Sequence, residues 1–145
     1  MNHILLVNTP WSDDFSVTRA EENLGLLYIE ASLKKSGYRT SIIDGLACDL
    51  SYEDIMKEIL LRIPSIFIGF SAYANNIKNT VKMAKELRTC GYKGHITTGG
   101  MWPSFKYREI LSQIKEIDSV CVGEGEELSV ELADAIAKAM DLKHI

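Results

Sequence analysis

Short apolar runs alternate with longer amphipathic stretches along the chain. His3-Ile4-Leu5-Leu6-Val7-Asn8 is apolar without alternation, the pattern of a strand buried on both faces, and Asn8-Thr9-Pro10 ends it. Residues 21–36 have helical spacing, with Leu24, Leu27, Tyr28, Ala31 and Leu33 near one side and Gly37 placed to stop the helix. Residues 39–44 predict a second strand. Ser51-Tyr52-Glu53-Asp54 has the form of a capping box, and Ile55, Ile59 and Leu60 continue from it at helical spacing. Residues 66–70 predict a third strand, bracketed by Pro64 and a turn at Ser71. Residues 76–90 predict a helix stopped by Gly91. A strand at 94–98, a helix at 104–115, a strand at 119–122 and a helix at 126–140 complete the series.

Five strand–helix units in strict alternation predict an α/β domain: a five-stranded parallel sheet with helices on both faces. The flavodoxin-like order 2-1-3-4-5 is expected, with the Rossmann-like order 3-2-1-4-5 left open by the sequence. The chain's 145 residues suit one domain. With 46% hydrophobic and 25% charged residues, it can bury a core without staples. A formal charge of −4 and the lack of any basic run argue against a nucleic-acid or anionic-membrane surface. The apolar start, residues 1–7, is too short for a signal peptide or membrane span. Three widely spaced cysteines, Cys48, Cys90 and Cys121, form no metal or cluster pattern. They are expected to be buried or half-buried free thiols in a reducing cytosol.

Ligands of open α/β sheets bind beyond the carboxyl ends of the strands, so the strand-to-helix loops hold the candidate site. Here these loops collect glycine, amide and aromatic residues, whereas the helix-to-strand loops are plain. A phosphoryl-accepting receiver domain needs an Asp closing the third strand and a Lys after the fifth. Gly69-Phe70-Ser71 and Gly123-Glu124 stand there instead, and Asp13 and Asp14 read as solvated loop acids. The first loop has no glycine, which excludes the dinucleotide fingerprint. No Ser/Thr-rich flavin phosphate loop is present. The glutamates around Gly123-Glu124-Gly125-Glu126 would repel a pyrophosphate, although they suit a helix dipole. What remains is a site whose glycines let a large ligand approach the backbone, with Ser71, Asn75, Asn76, Trp11, Tyr73 and Trp102 around it.

Four segments in register resemble the cobalamin-binding domains of radical S-adenosylmethionine enzymes. They are Gly25-Leu26-Leu27-Tyr28-Ile29-Glu30-Ala31-Ser32-Leu33 followed by Ser36-Gly37-Tyr38; Ile68-Gly69-Phe70-Ser71; Thr98-Gly99-Gly100-Met101-Trp102-Pro103-Ser104; and Val122-Gly123-Glu124-Gly125-Glu126. The resemblance implies cobalamin over the carboxyl edge of the sheet, with its nucleotide tail dropping between strands. It implies a cofactor contact set of Asn8, Pro10, Trp11, Gly25, Ser71, Ala72, Tyr73, Asn75, Gly99, Gly100, Met101, Trp102, Gly123, Glu124, Gly125 and Glu126. In that set Ser71 bonds the tail, while Gly99 and Gly100 leave room for it. Met101-Trp102 replaces the Pro-His pair common in the family, so Trp102 packs either on the cofactor or locally.

Cobalamin domains of methionine synthase and the mutases carry Asp-x-His-x-x-Gly after the first strand, and its His ligates cobalt. The corresponding loop here has no His, while His3 and His95 begin strands and His144 lies in the tail, so the resemblance implies a histidine-off site. The Cys-x3-Cys-x2-Cys cluster motif is absent. The [4Fe-4S] cluster and S-adenosylmethionine are therefore expected only in a separate radical domain, reached by a linker beginning at 141–145 after a cobalamin domain over 1–140. The chain alone carries no acid–base pair or nucleophile for the chemistry. The reading is a cobalamin-binding module of a cytoplasmic radical enzyme, a methyltransferase. The alternative is a flavodoxin-like interaction domain without cofactor, docking through an apolar patch of Trp11, Tyr73, Trp102 and Phe105.

Overall fold

The computed structural model describes residues 2–13 and 22–139. Its elements run β1 (His3–Asn8), α1 (Leu24–Lys35), β2 (Arg39–Asp44), α2 (Tyr52–Arg62), β3 (Phe67–Ser71), α3 (Ile77–Thr89), β4 (His95–Gly99), α4 (Met101–Gln113), β5 (Ser119–Cys121) and α5 (Gly125–Ala137). All four pairings are parallel and the strand order is β2-β1-β3-β4-β5. The flavodoxin-like order is thus the one adopted.

The apolar strands serve two cores. Leu5, Val7, Ile68, Phe70 and Ile96 point to one face, where Ile55, Ile59, Met83, Leu87 and Ile110 of α2, α3 and α4 cover them. Ile4, Leu6 and Phe67 point to the other, under Leu26 and Leu33 of α1 and Leu132 and Ala133 of α5. Burial on both faces explains why these strands read as unbroken apolar runs.

Local chemistry sets the helix ends. Ser51 Oγ accepts from the Asp54 amide at 3.1 Å, and Asp54 Oδ2 accepts from the Ser51 amide at 3.4 Å, the reciprocal capping box that the sequence predicts. Two helices end alike. Tyr38 N–H donates to Leu33 O and Tyr92 N–H to Leu87 O, each at 3.0 Å, across Gly37 at φ +90° and Gly91 at φ +88°. Each is a Schellman closure requiring a left-handed residue. The tyrosines then anchor the turn: the Tyr38 hydroxyl donates to Asp134 of α5, and the Tyr92 hydroxyl meets Ser65 Oγ at 3.2 Å.

Three expectations need correction. Helix α4 starts at Met101, not Ser104, because Gly100 at φ +116° turns the chain straight from β4 into it. Pro103 then falls in the first turn, where the missing N–H costs no helical bond. Helix α1 starts at Leu24, after Asn23, rather than at 21. Cys48, in the turn after β2, and Cys90, at the end of α3, are exposed, and only Cys121 is half-buried. Asp13 is exposed as expected. Asp14, His144 and the segment 141–145 lie outside the described residues. No described helix is long and apolar enough to cross a membrane.

Candidate functional site: a cleft at the carboxyl edge of the sheet

Strand register builds the floor of the site. It aligns Leu6, Gly69, Thr97 and Ser119 in one row across the sheet, and Asn8, Ser71, Gly99 and Cys121 in the next. Beyond β1 these rows hold only small side chains, on the face that α1 and α5 cover. The space they leave is a cleft of about 180 Å³, floored by Leu6 and Phe67 and walled by Gly25, Leu26 and Ile29 of α1 and Gly125, Glu126 and Ser129 of α5. A Cβ on Gly69 would lie 3.2 Å from the Phe67 ring and 3.3 Å from Leu6 Cδ2, so the floor has no spare room for a larger residue.

Polar side chains gather where the strand order reverses, between β1 and β3. Asn8 Nδ2 donates to Asp44 Oδ1 at 2.8 Å, and Asp44 Oδ2 accepts from the Asn23 amide at 3.0 Å. Asn23 Oδ1 caps α1 by accepting from Leu26 N–H at 3.2 Å, while its Nδ2 donates to Ser71 Oγ at 2.9 Å. Asn76, fully buried, donates from Nδ2 towards Asn8 Oδ1 (3.2 Å), Thr9 O (3.3 Å) and Ser71 O (3.2 Å). Its Oδ1 accepts from Tyr73 N–H at 2.7 Å. The loops after β1, β2 and β3 and the start of α1 are thereby fixed to one another.

A second tie fixes the opposite wall. Ser104 Oγ donates to Gly100 O at 2.8 Å and accepts from Gly123 N–H at 3.0 Å, joining the turns after β4 and β5. Burial pushes the Cys121 thiol up from its ordinary range, and the Thr97 hydroxyl 3.8 Å away works against that, so the cleft wall carries a neutral thiol. Lys, Arg and His are missing from the described lining, and Glu126 and Glu127 occupy the first turn of α5, where the helix dipole favours them. No group of three or more His, Cys, Asp or Glu able to hold a metal ion occurs among the described residues.

Of the residues singled out from the sequence, Gly25, Ser71, Tyr73, Gly99, Gly100, Gly123, Glu124, Gly125 and Glu126 meet around this cleft. Asn8, Pro10, Trp11, Ala72, Asn75, Met101 and Trp102 stand outside its lining. Asn8 serves the polar network behind it. Ala72 is fully buried, its N–H donating to Gly99 O at 2.9 Å. Asn79 Nδ2 holds the loop of Pro10 and Trp11 through their carbonyls, at 2.9 and 3.2 Å. Asn75 O accepts from Ser12 N–H at 2.8 Å. Trp102, half-buried, packs against the core shared by α2, α3 and α4. Trp11 is half-buried as well, whereas Tyr73, Met101 and Phe105 are exposed. Asn23, Ile29, Thr97, Cys121 and Ser129 line the cleft without belonging to the contact set that the sequence implies. Only Asn23 carried a signal, as a cap-type residue just ahead of an apolar helix.

A family profile described as B12 binding domain matches residues 15–133. The chain belongs to the B12-binding domain family. An uncharacterized methyltransferase of Pyrococcus horikoshii is 34% identical to this B12-binding domain over 122 residues, 84% of the chain and 26% of the relative. The anaerobic magnesium-protoporphyrin IX monomethyl ester cyclase of Rubrivivax gelatinosus is 30% identical over 115 residues, 75% of the chain and 20% of the relative. The chain thus spans about a quarter of the length of these relatives or less. Among solved structures, the cobalamin-dependent S-adenosylmethionine radical enzyme OxsB with aqua-cobalamin and S-adenosylmethionine superposes at TM-score 0.80 with 22% identity, over 98% of this chain and 20% of OxsB. The radical S-adenosylmethionine methyltransferase TsrM from Kitasatospora setae, with cobalamin and a [4Fe-4S] cluster bound, does so at 0.77 with 18% identity, over 97% and 25%. The structural likenesses bear out the fold, and the family profile bears out the B12-binding resemblance seen in the sequence.

Proposed function

We propose that the cleft holds the nucleotide tail of a histidine-off cobalamin, and that this domain serves a radical S-adenosylmethionine methyltransferase whose cluster and S-adenosylmethionine lie in a separate domain. The observation that carries the reading is the cleft. It is narrow, mostly apolar and open at the carboxyl edge, with a hydroxyl at Ser71 and glycines at the lip. A flat heteroaromatic tail fits that donor set, and the described lining residues offer no cationic phosphate cradle. Ser71 would bond the tail, Gly69 and Gly99 would leave it room, and Gly100, Gly123 and Glu124 would border the corrin. Bound cobalamin supplies a cobalt centre able to carry a methyl group or an electron. The chain's own residues bind the tail, exclude water from it and orient the ring.

The histidine-off part is supported by where the described histidines stand. His3 and His95 begin β1 and β4, at the far end of the sheet, and their Nε2 atoms are engaged with Ser41 Oγ at 2.9 Å and Ser119 Oγ at 2.8 Å. Methyl transfer is favoured by the relative named as a methyltransferase and by the likeness to TsrM.

The test is to mix the purified chain with excess hydroxocobalamin, desalt it and record the visible spectrum beside a flavin mononucleotide control. Near-stoichiometric retained corrin, with a spectrum unchanged by replacing any of the three histidines, is expected. Retained flavin without corrin overturns the reading.

A further inference from the structure

We propose that Asn23 is a positioning residue that makes Ser71 a hydrogen-bond donor into the cleft, so that the site selects corrinoids whose tail ends in a nitrogen heterocycle. This rests on the cobalamin reading of the cleft and adds to it a residue and a selectivity.

The direction of each bond follows from what its partner can do. Leu26 N–H can only donate, so the Asn23 atom 3.2 Å from it is Oδ1. The other end of the same amide, 2.9 Å from Ser71 Oγ, must then be the NH2 group. The helix cap therefore fixes the amide orientation, and the amide makes Ser71 Oγ an acceptor. The Asn23 backbone is held too, since its N–H donates to Asp44 Oδ2 at 3.0 Å. Asp44 is itself fixed by Asn8 Nδ2 at 2.8 Å. Ser71 has one proton, and among the described residues no acceptor is in place for it. Its residue is only 9% exposed, and it lines the cleft. The proton is thus offered to whatever occupies the cleft, and it is satisfied only by a lone pair, such as that on the ring nitrogen of a benzimidazole or purine. A tail ending in a phenyl ring would leave a buried donor unpaired.

Corrinoid affinity of the purified chain, read by visible titration, provides the test. Three probes suffice: cobalamin, phenolyl cobamide (a phenol in place of the nitrogen base) and cobinamide (no nucleotide tail). Wild type should bind cobalamin about tenfold more tightly than phenolyl cobamide, the worth of one good hydrogen bond. Asn23→Asp keeps an oxygen for Leu26 N–H but presents a second oxygen to Ser71, turning its proton away from the cleft. This variant should lose about tenfold in cobalamin affinity, bind cobinamide as wild type does, and bind phenolyl cobamide no more weakly than wild type. Asn23→Ser, which retains a cap but no amide donor, should fall between. Ser71→Ala should match Asn23→Asp, and combining the two should add nothing further. Equal losses for all three probes in Asn23→Asp would show a merely structural role, and so overturn the proposal. If that variant fails to fold, parity of cobalamin and phenolyl cobamide on wild type overturns it equally. Failure of wild type to retain any corrinoid would refute the cobalamin reading itself, a result distinct from corrinoid binding without base selectivity.

Discussion

Replacing Gly100 by alanine should be far more costly than the same change at another left-handed glycine. Gly100 sits at φ +116° and ψ −179°, a region essentially closed to side chains, where occupancy costs about 1–3 kcal/mol. A Cβ there would also lie 2.6 Å from the Ala72 carbonyl oxygen. That oxygen belongs to the Ala72–Tyr73 peptide, which cannot swing aside because Tyr73 N–H is bonded to Asn76 Oδ1 at 2.7 Å. Relieving the overlap moves the β3 and β4 ends apart, an overpacking cost of about 1–3 kcal/mol. The combined loss is about 2–6 kcal/mol, a large share of the roughly 5–15 kcal/mol typical of a domain. Gly37 is the control: at φ +90° with nothing within 4 Å of its added Cβ, it should cost only the left-handed penalty of about 1–2 kcal/mol. Urea denaturation followed by circular dichroism measures both. With a slope of about 1.5 kcal/mol/M, the centres of these ranges put the Gly100→Ala midpoint about 1.7 M below that of Gly37→Ala. Midpoints that coincide would refute the steric argument and leave only the dihedral one.

Other parts of the site predict smaller effects. Gly125→Val would drive a Cβ to 2.7 Å from Ile29 Cδ1 and pry α5 from α1, costing about 1–3 kcal/mol, and Ile29→Ala in the same chain should recover part of it in a double-mutant cycle. Ser104→Ala removes the tie between the turns after β4 and β5, so a loss of about 1 kcal/mol should accompany faster hydrogen exchange at the Gly123 amide. His95 should make the fold acid-sensitive. Burial holds its pKa below 6.5 and Arg88 acts in the same direction, outweighing the Asp118 carboxylate. The unfolded chain then binds the proton more readily, so this stability is intact above pH 6.5 and drains away as pH falls through the depressed value. The urea midpoint at pH 5.5 should lie below that at pH 7.5, and His95→Gln should flatten the difference; a higher midpoint at pH 5.5 would contradict the sign.

The fold was legible because its punctuation is local. Unbroken apolar strands, the Ser51–Asp54 box and two Gly-Tyr helix ends each act within a few residues, so spacing along the chain reports them faithfully. The start of α4 was misread for an equally local reason. Ser104 looks like a cap and Pro103 like a breaker, but a glycine in an extended left-handed state lets the helix begin ahead of both. Exposure of Cys48 and Cys90 was missed because thiol burial is a statistical habit, whereas these two sit at element ends, where packing is thin.

The site was legible only by half, and the dividing line is sequence separation. The loop glycines announce themselves, since few other roles call for them in strand-to-helix turns. The polar network does not: its bonds join residues 36 apart (Asn8 to Asp44), 48 apart (Asn23 to Ser71) and 68 apart (Asn8 to Asn76). Asn23 was absorbed into a helix beginning at 21, since nothing near it in sequence reveals that its amide faces β3. The cleft floor is harder still to see. Gly69 and Thr97 look like ordinary strand interior until the register sets them side by side. Trp102 is no easier to read: an indole beside a glycine turn suggests a ligand stack, and only the fold shows that it packs against the core shared by α2, α3 and α4. Composition and spacing therefore locate the edge of the sheet that carries the cleft, while parallel pairing decides which face of that edge is hollow.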